Sequence, residues 1–279
     1  MSKAKKETTE TTQIADKKYL VPFILITSLF FLWGFARAIL DVLNKHFQNA
    51  LHISITHSSL IQVTTYLGYF LMAIPAGIFI NRYGYRRGVV FGLLLFGLGA
   101  ILFIPGASMG SFYAFLLCLF IIGCGLVFLE TAANPYVTEL GARETATSRL
   151  NLSQSFNGLG SIFATFCIGQ FLFNGTDEGG NVVIPYGILG VLVLLIAFVF
   201  SRVELPEIQH ARTREDRAKG SNISKLFANH KMFVFGLFAL LSYEVAEISI
   251  NSYFINFVTG MQWMDDRTAS LVLTLALAF

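Results

Sequence analysis

The stretch LVPFILITSLFFLWGFARAILDVLNKHF, residues 20–47, decides the fold. From Leu20 to Ala36 it holds no charged residue. A helix needs about 20 mostly apolar residues to cross the hydrocarbon core of a bilayer. A membrane barrel strand would alternate apolar and polar positions over about ten residues, and this run does not alternate. In lipid the backbone must satisfy its own polar groups within the segment, which selects a helix. The run then carries Arg37 and Asp41, four residues apart, at a depth that excludes charge.

The same texture recurs along the chain. After the first run, to about Phe47, apolar runs cover about Ser58 to Ile80, Gly88 to Ile104, Phe112 to Leu140, Leu150 to Phe173, Ile184 to Phe200 and His230 to Val258. An eighth opens near Thr268 and reaches Phe279. The composition agrees with the pattern. Of 279 residues 54% are hydrophobic and 13% charged, 28 are phenylalanine, and the mean hydropathy is +0.63. Soluble domains carry about 25% charge, so the class is an all-α integral membrane protein. Cys118, Cys124 and Cys167 lie in apolar runs without metal or redox spacing and read as small hydrophobes. The expected organisation is a polar cytoplasmic tail (1–18), a six-helix transmembrane bundle (19–202), a charged cytoplasmic linker (203–228) and the opening of a second bundle (229–279). The tail lacks the apolar core of a signal peptide.

Basic residues set the orientation. All but Arg37, Lys45 and Arg267 fall in the tail, in the turn with Arg82, Arg86 and Arg87, in the turn with Arg143 and Arg149, or between Arg202 and Lys231. These segments share one side, so the N-terminus is expected in the cytoplasm. Six spans, a linker and further spans match one repeat of a transporter plus the start of another. A shift of 210 residues lays Arg37 on Glu247 and Asp41 on Asn251, a weak internal echo.

An ionisable group at a helix centre costs about 2.5–3.5 kcal/mol on insertion scales. The spans hold Arg37, Asp41, Glu130, Glu244 and Glu247. Such groups face an interior pathway by default. Arg37 and Asp41 have the spacing of a local ion pair. Glu130 has no basic partner in its own span, and an acid of that kind can carry a proton. Asn151, Gln154 and Asn157 recur on one helical face, and amides both donate to and accept from sugar hydroxyls. Interhelical packing is the competing reading for this face. Asn134 precedes Pro135, which frees a backbone carbonyl. Gln62, Tyr66 and Tyr69 share a face, and Trp33 reads as a sugar platform or as core. The turn GIFINRYGYRRG, residues 77–88, reads as a structural or gating loop through Arg82, Gly84, Arg86 and Arg87. No Walker loop, HExxH or GxSxG occurs. No catalytic residue, cofactor, metal or nucleic-acid partner is therefore expected.

These segments resemble the major facilitator superfamily, whose signature loop is similar to GIFINRYGYRRG with Asn81 at its usual acidic position. LDVLNKHFQ, LIQVTTYLGYFLMAIPAGI, GLVFLETAANPYVTELG and RLNLSQSFNGLGS resemble, more narrowly, the fucose/proton symporter family of sugar permeases. AEISINSYF resembles that family's seventh-span motif, with Glu247 at the acidic position. The resemblance covers about residue 20 to the end. It implies a twelve-span fold of which this is the N-terminal portion, in a bacterial inner membrane, importing a hexose or deoxyhexose with protons. It also implies that Asp41 carries the proton, that Glu130 couples protonation to sugar binding, and that Gln154 and Asn157 bind sugar. Asn134, Gln62, Arg37, Asn44 and Glu247 complete the expected binding set. Arg37 stands where the family more often has an amide or an apolar residue. A non-transporting sugar-binding membrane fragment and sodium coupling are the alternatives.

Overall fold

The structure is a computed structural model and describes residues 19–109, 111–173, 183–203, 227 and 229–278. The tail, most of the linker and the acidic stretch 174–181 lie outside the described residues. The described residues are nearly all helical and contain no strand, as the sequence predicts.

The long helices are α1 (Leu20–Leu51), α3 (Leu60–Tyr83), α4 (Tyr85–Ile101), α6 (Phe112–Glu139), α7 (Ala146–Phe173), α8 (Val183–Arg202) and α9 (Lys231–Gly260). Shorter pieces are α2 (Ile55–Ser58), α5 (Phe103–Ser108) and α10 (Asp266–Ala278). Among the described residues six candidate spans satisfy length and composition, with α4 and α5 running on as one. The 28 residues of α7 are also enough to cross, although its first half carries the amide face. With 32 residues, α1 is about 48 Å long. It outlasts its apolar run because Gln48 and Asn49 extend the helix at its polar end, and His52 then stops it in the left-handed region.

The centre of the bundle is α6, whose buried residues run from Phe115 to Val137. It packs against α3 and α4, while α1 pairs with α7 and α4 with α8. Lipid gives helices little hydrophobic reason to associate, so close backbone contact must hold them. Glycine supplies it. A Cβ on Gly34 of α1 would overlap the Asn157 carbonyl of α7, and one on Gly160 of α7 would overlap the Phe31 carbonyl of α1. Gly68 and Gly123 do the same for α3 and α6. Large exposed apolar side chains such as Phe70, Ile74 and Ile78 cover the outer face of α3, as lipid contact requires.

At one end of the bundle, two arginines fasten helix C-termini. Arg86, just past Gly84 (φ 89°), donates to the Phe200 and Ser201 carbonyls at the end of α8. Arg149 is fully buried. It donates to the carbonyls of Val137 (3.0 Å), Thr138 (2.7 Å) and Ala142 (3.1 Å), and to the Thr145 hydroxyl (2.6 Å). The last carbonyls of a helix have no partner inside it, and a guanidinium both bonds them and answers the helix dipole. Arg149→Ala strips several buried acceptors at once, each worth about 1–3 kcal/mol when left unpaired. The expected result is a melting temperature lower by on the order of 10 °C in detergent. An unchanged melting curve would show that water replaces the side chain.

Candidate functional site

One face of α1 organises the polar interior. Trp33, Arg37, Asp41, Asn44 and Gln48 follow one another at three- or four-residue spacing and so share a stripe. Ala36, Ile39, Leu40, Val42 and Leu43 are buried in the core on the remaining faces.

The stripe begins at a cleft between α1 and α6. Its walls are Leu29, Phe30 and Trp33 from α1 and Leu129, Glu130, Ala133 and Asn134 from α6. The Trp33 indole N–H donates to the Tyr69 hydroxyl at 2.7 Å, which fixes the ring. Gln154 of α7 donates to Asn134 at 3.4 Å, a long contact. The Asn157 carbonyl meets Gly34, while its buried amide nitrogen has no hydrogen-bond partner. An aromatic face, a carboxylate and the Asn134 amide thus line one small space, with the Gln154 amide touching Asn134. That donor and acceptor set suits a polyol with an apolar face.

One turn on, Arg37 does not take Asp41 as its salt-bridge partner. Its guanidinium bonds Glu244 (3.2 Å) and Glu247 (3.3 Å) of α9, with the Tyr66 hydroxyl beside it. The local pair allowed by spacing loses to a tertiary pair because two carboxylates on α9 reach the same cation. Arg37 and Glu247 are also the residues that the internal echo superimposes.

Asp41 lies between three helices. Its Oδ1 accepts from the Ser252 hydroxyl of α9 (2.8 Å) and from the Gln62 amide of α3 (3.1 Å). The same Gln62 nitrogen donates to Ser252 Oγ at 2.7 Å. Asn44 donates to the Ser252 carbonyl (3.1 Å), and Gln48 donates to Asn44 (3.1 Å) and Ser58 (2.7 Å). Near the end of α1, Lys45 (3.7 Å) and Asn49 (2.7 Å) both engage Asp266 of α10, and Arg267 donates to Gln170 of α7 at 2.6 Å.

The expected residues therefore fall into three groups. Glu130 and Asn134 line the cleft, Gln154 reaches it through Asn134, and Asn157 sets its backbone carbonyl against Gly34 of α1. Arg37, Asp41, Asn44, Gln62 and Glu247 gather where α1 meets α9. Arg82, Gly84, Arg86 and Arg87 sit apart, at the turn between α3 and α4. Sequence reasoning missed Ser252, because a serine in a membrane helix is common and gives no signal. It counted Glu244 among the costly charges without placing it in the site. Among the described residues no His, Cys, Asp and Glu cluster could hold a metal, and the three cysteines are free.

The Major Facilitator Superfamily model matches residues 26–279. An L-fucose-proton symporter of Haemophilus influenzae is 38% identical over 223 residues, covering 71% of this chain and 52% of the relative. The crystal structure of FucP, a major facilitator transporter in the outward conformation, superimposes with a TM-score of 0.74 at 33% identity. It covers 94% of this chain and 69% of that one.

The chain belongs to the major facilitator superfamily, in its fucose/proton symporter family.

Members of this family are transporters and not enzymes. A glucose/galactose transporter of Brucella abortus is also similar, 36% identical over 258 residues, 90% of this chain and 61% of the relative. The chain thus spans between about half and three fifths of the length of these curated relatives. The motif strings of the family lie on α1, α3, α6, α7 and α9, the helices that build the two polar groups.

Proposed function

We propose that the complete protein imports a neutral monosaccharide together with a proton across a bacterial inner membrane. The observation that supports this most is the placement of acids. Glu130 stands at the cleft with Trp33 and Asn134, while Asp41 is enclosed by α3 and α9. The sugar stacks on Trp33 and takes hydrogen bonds from Asn134, Gln154 and Asn157. Asp41 is the proton carrier, and Glu130 links proton and sugar occupancy. Trp33 and Asp41 are eight residues apart, about 12 Å along α1, so the two sites are neighbours without overlapping. Arg37, Asn44, Gln62 and Glu247 line the passage between the bundles.

In this reading residues 19–202 form the first bundle, 203–228 the cytoplasmic linker and 229–279 the opening of the second bundle. The N-terminus is cytoplasmic, so the Leu51 end of α1 faces outward. The Arg82–Arg87 turn lies on the inner side, where Arg86 ties α3 and α4 to α8 as they move together. Rocking of one bundle against the other exposes the site to each side in turn. Net uptake follows when sugar and proton bind together in the outward-facing form.

The test is a transport panel with the complete protein in proteoliposomes, using fucose, galactose, glucose and N-acetylglucosamine. At least one sugar should enter with alkalinisation of the outer medium, and replacing sodium at fixed pH should change nothing. Uptake that requires sodium, or sugar binding without any flux, would overturn the reading.

A further inference from the structure

The contacts between α1 or α3 and α9 lie toward the Leu51 end of α1, and the Asp41, Gln62 and Ser252 triangle sits at their centre. We propose that Gln62 and Ser252 form a latch that reads the protonation of Asp41 and releases α9 when the proton binds. This inference rests on Asp41 being the proton carrier.

The donors and acceptors of the triangle have one consistent assignment. Gln62 Nε2 has two hydrogens, one for Asp41 Oδ1 and one for Ser252 Oγ. The single Ser252 hydrogen goes to the same Asp41 oxygen. Asp41 therefore acts only as an acceptor, as an ionised carboxylate does. An amide turned the other way would set Gln62 Oε1 against that oxygen. Hydrogen bonds to a charged acceptor are about twice as strong as neutral ones, so ionised Asp41 holds α9 firmly against α1 and α3.

The arrangement has one loose end. Gln62 is 8% exposed, and its Oε1 is buried with no hydrogen-bond partner. A buried acceptor left unpaired is costly and calls for a reason. Protonation of Asp41 supplies one. A proton arriving from solvent at Asp41 Oδ1 turns that oxygen into a donor, and a half-turn of the Gln62 amide brings Oε1 round to accept it. The turned amide no longer donates to Ser252. Ser252 also loses its charged acceptor, and α9 is held here only by a neutral bond from its hydroxyl to the turned Gln62 Oε1 and by the Asn44 bond to its carbonyl. The charge-assisted bond from α9 to α1 is lost, while the bond between α1 and α3 is kept with its direction reversed. Other ionisable groups face Asp41: Arg37 on its own helix, Glu247 on α9 and the Tyr66 hydroxyl on α3. Arg37 is itself engaged by Glu244 and Glu247, so its field acts on Asp41 without closing a salt bridge.

Ser252 and Gln62 are thus positioning residues, and opposite outcomes test them. Spin labels at Leu51 and Met261, both exposed helix-end positions, report the spacing of α1 and α9 in the complete protein. The background has every native cysteine, Cys118, Cys124 and Cys167 among them, replaced by alanine. In the unsubstituted triangle, the short-distance population should give way to a longer one as pH falls. Ser252→Ala should lower the short-distance population about tenfold at high pH, the worth of one charge-assisted hydrogen bond. Gln62→Leu, which leaves Ser252 Oγ as the acceptor for the new proton, should keep more of the short-distance population at low pH than the unsubstituted triangle does. Wild-type pH responses in both variants would overturn the latch, whatever else Asp41 does. A pH response that persists in Asp41→Asn would instead overturn the assignment of the proton carrier, and with it the proposed function.

Discussion

Asp41→Asn is expected to abolish proton-driven accumulation of sugar while leaving sugar exchange across the membrane intact. Asparagine has nearly the shape of aspartate, and its Oδ1 can still accept from Ser252 and Gln62 at the positions the carboxylate uses. The bundle contacts are therefore largely kept. What is lost is ionisation. With one coupled proton, each unit of pH difference can support about a tenfold sugar gradient. Without it the accumulation ratio falls to about one at any pH difference. Exchange of labelled for unlabelled sugar needs no net proton movement and should continue. The measurement is paired, with accumulation under an imposed pH gradient set beside counterflow at uniform pH. A mutant that still concentrates sugar would remove Asp41 from the coupling step. A mutant that loses both activities would point to a binding role instead.

The fold was legible because lipid leaves so few choices. A run of about 20 apolar residues without alternation is a helix in the membrane, and each long helix except α7, whose first half is polar, coincides with such a run. Helix ends were less legible. Polar residues at the membrane surface continue a helix without leaving a hydropathy signal, as Gln48 and Asn49 do in α1. Much of the polar interior was also legible, since an ionisable group in a span is too costly to be accidental. The partners were not. The spacing of Arg37 and Asp41 allows a local pair, and only the approach of α9 shows that Glu244 and Glu247 take the arginine. Arg149 counted among the basic residues that set orientation, yet it is a fully buried helix cap. Its role depends on where α6 ends, which hydropathy does not fix. Ser252 becomes visible only when three helices are assembled.

Gly160→Ala should disable the protein more completely than the loss of any single polar side chain in the cleft. A Cβ at this position would overlap the Phe31 carbonyl oxygen and lie 2.9 Å from the Phe31 carbonyl carbon and 3.0 Å from the Phe35 nitrogen. These are backbone atoms of α1, and no rotamer change moves them aside. The two helices must separate, and everything that depends on their contact goes with them. That includes the buried hydrogen bond between Thr27 and Ser153 (3.1 Å) and the bond from Ser161 to the Gly34 carbonyl (3.2 Å). Overpacking costs about 1–3 kcal/mol where side chains can yield, and a backbone clash should stand at or above the top of that range. Asn157 lies three residues before Gly160 on α7, so sugar affinity should fall along with stability. The expected result is a melting temperature lower by on the order of 10 °C, with sugar binding weakened at least tenfold in the fraction that remains folded. Gly158→Ala is the control. Nothing lies within 4 Å of a Cβ there, and alanine favours the helix by about 0.5–1 kcal/mol over glycine. If the two variants melt and bind alike, α1 and α7 do not approach as closely as their glycines require.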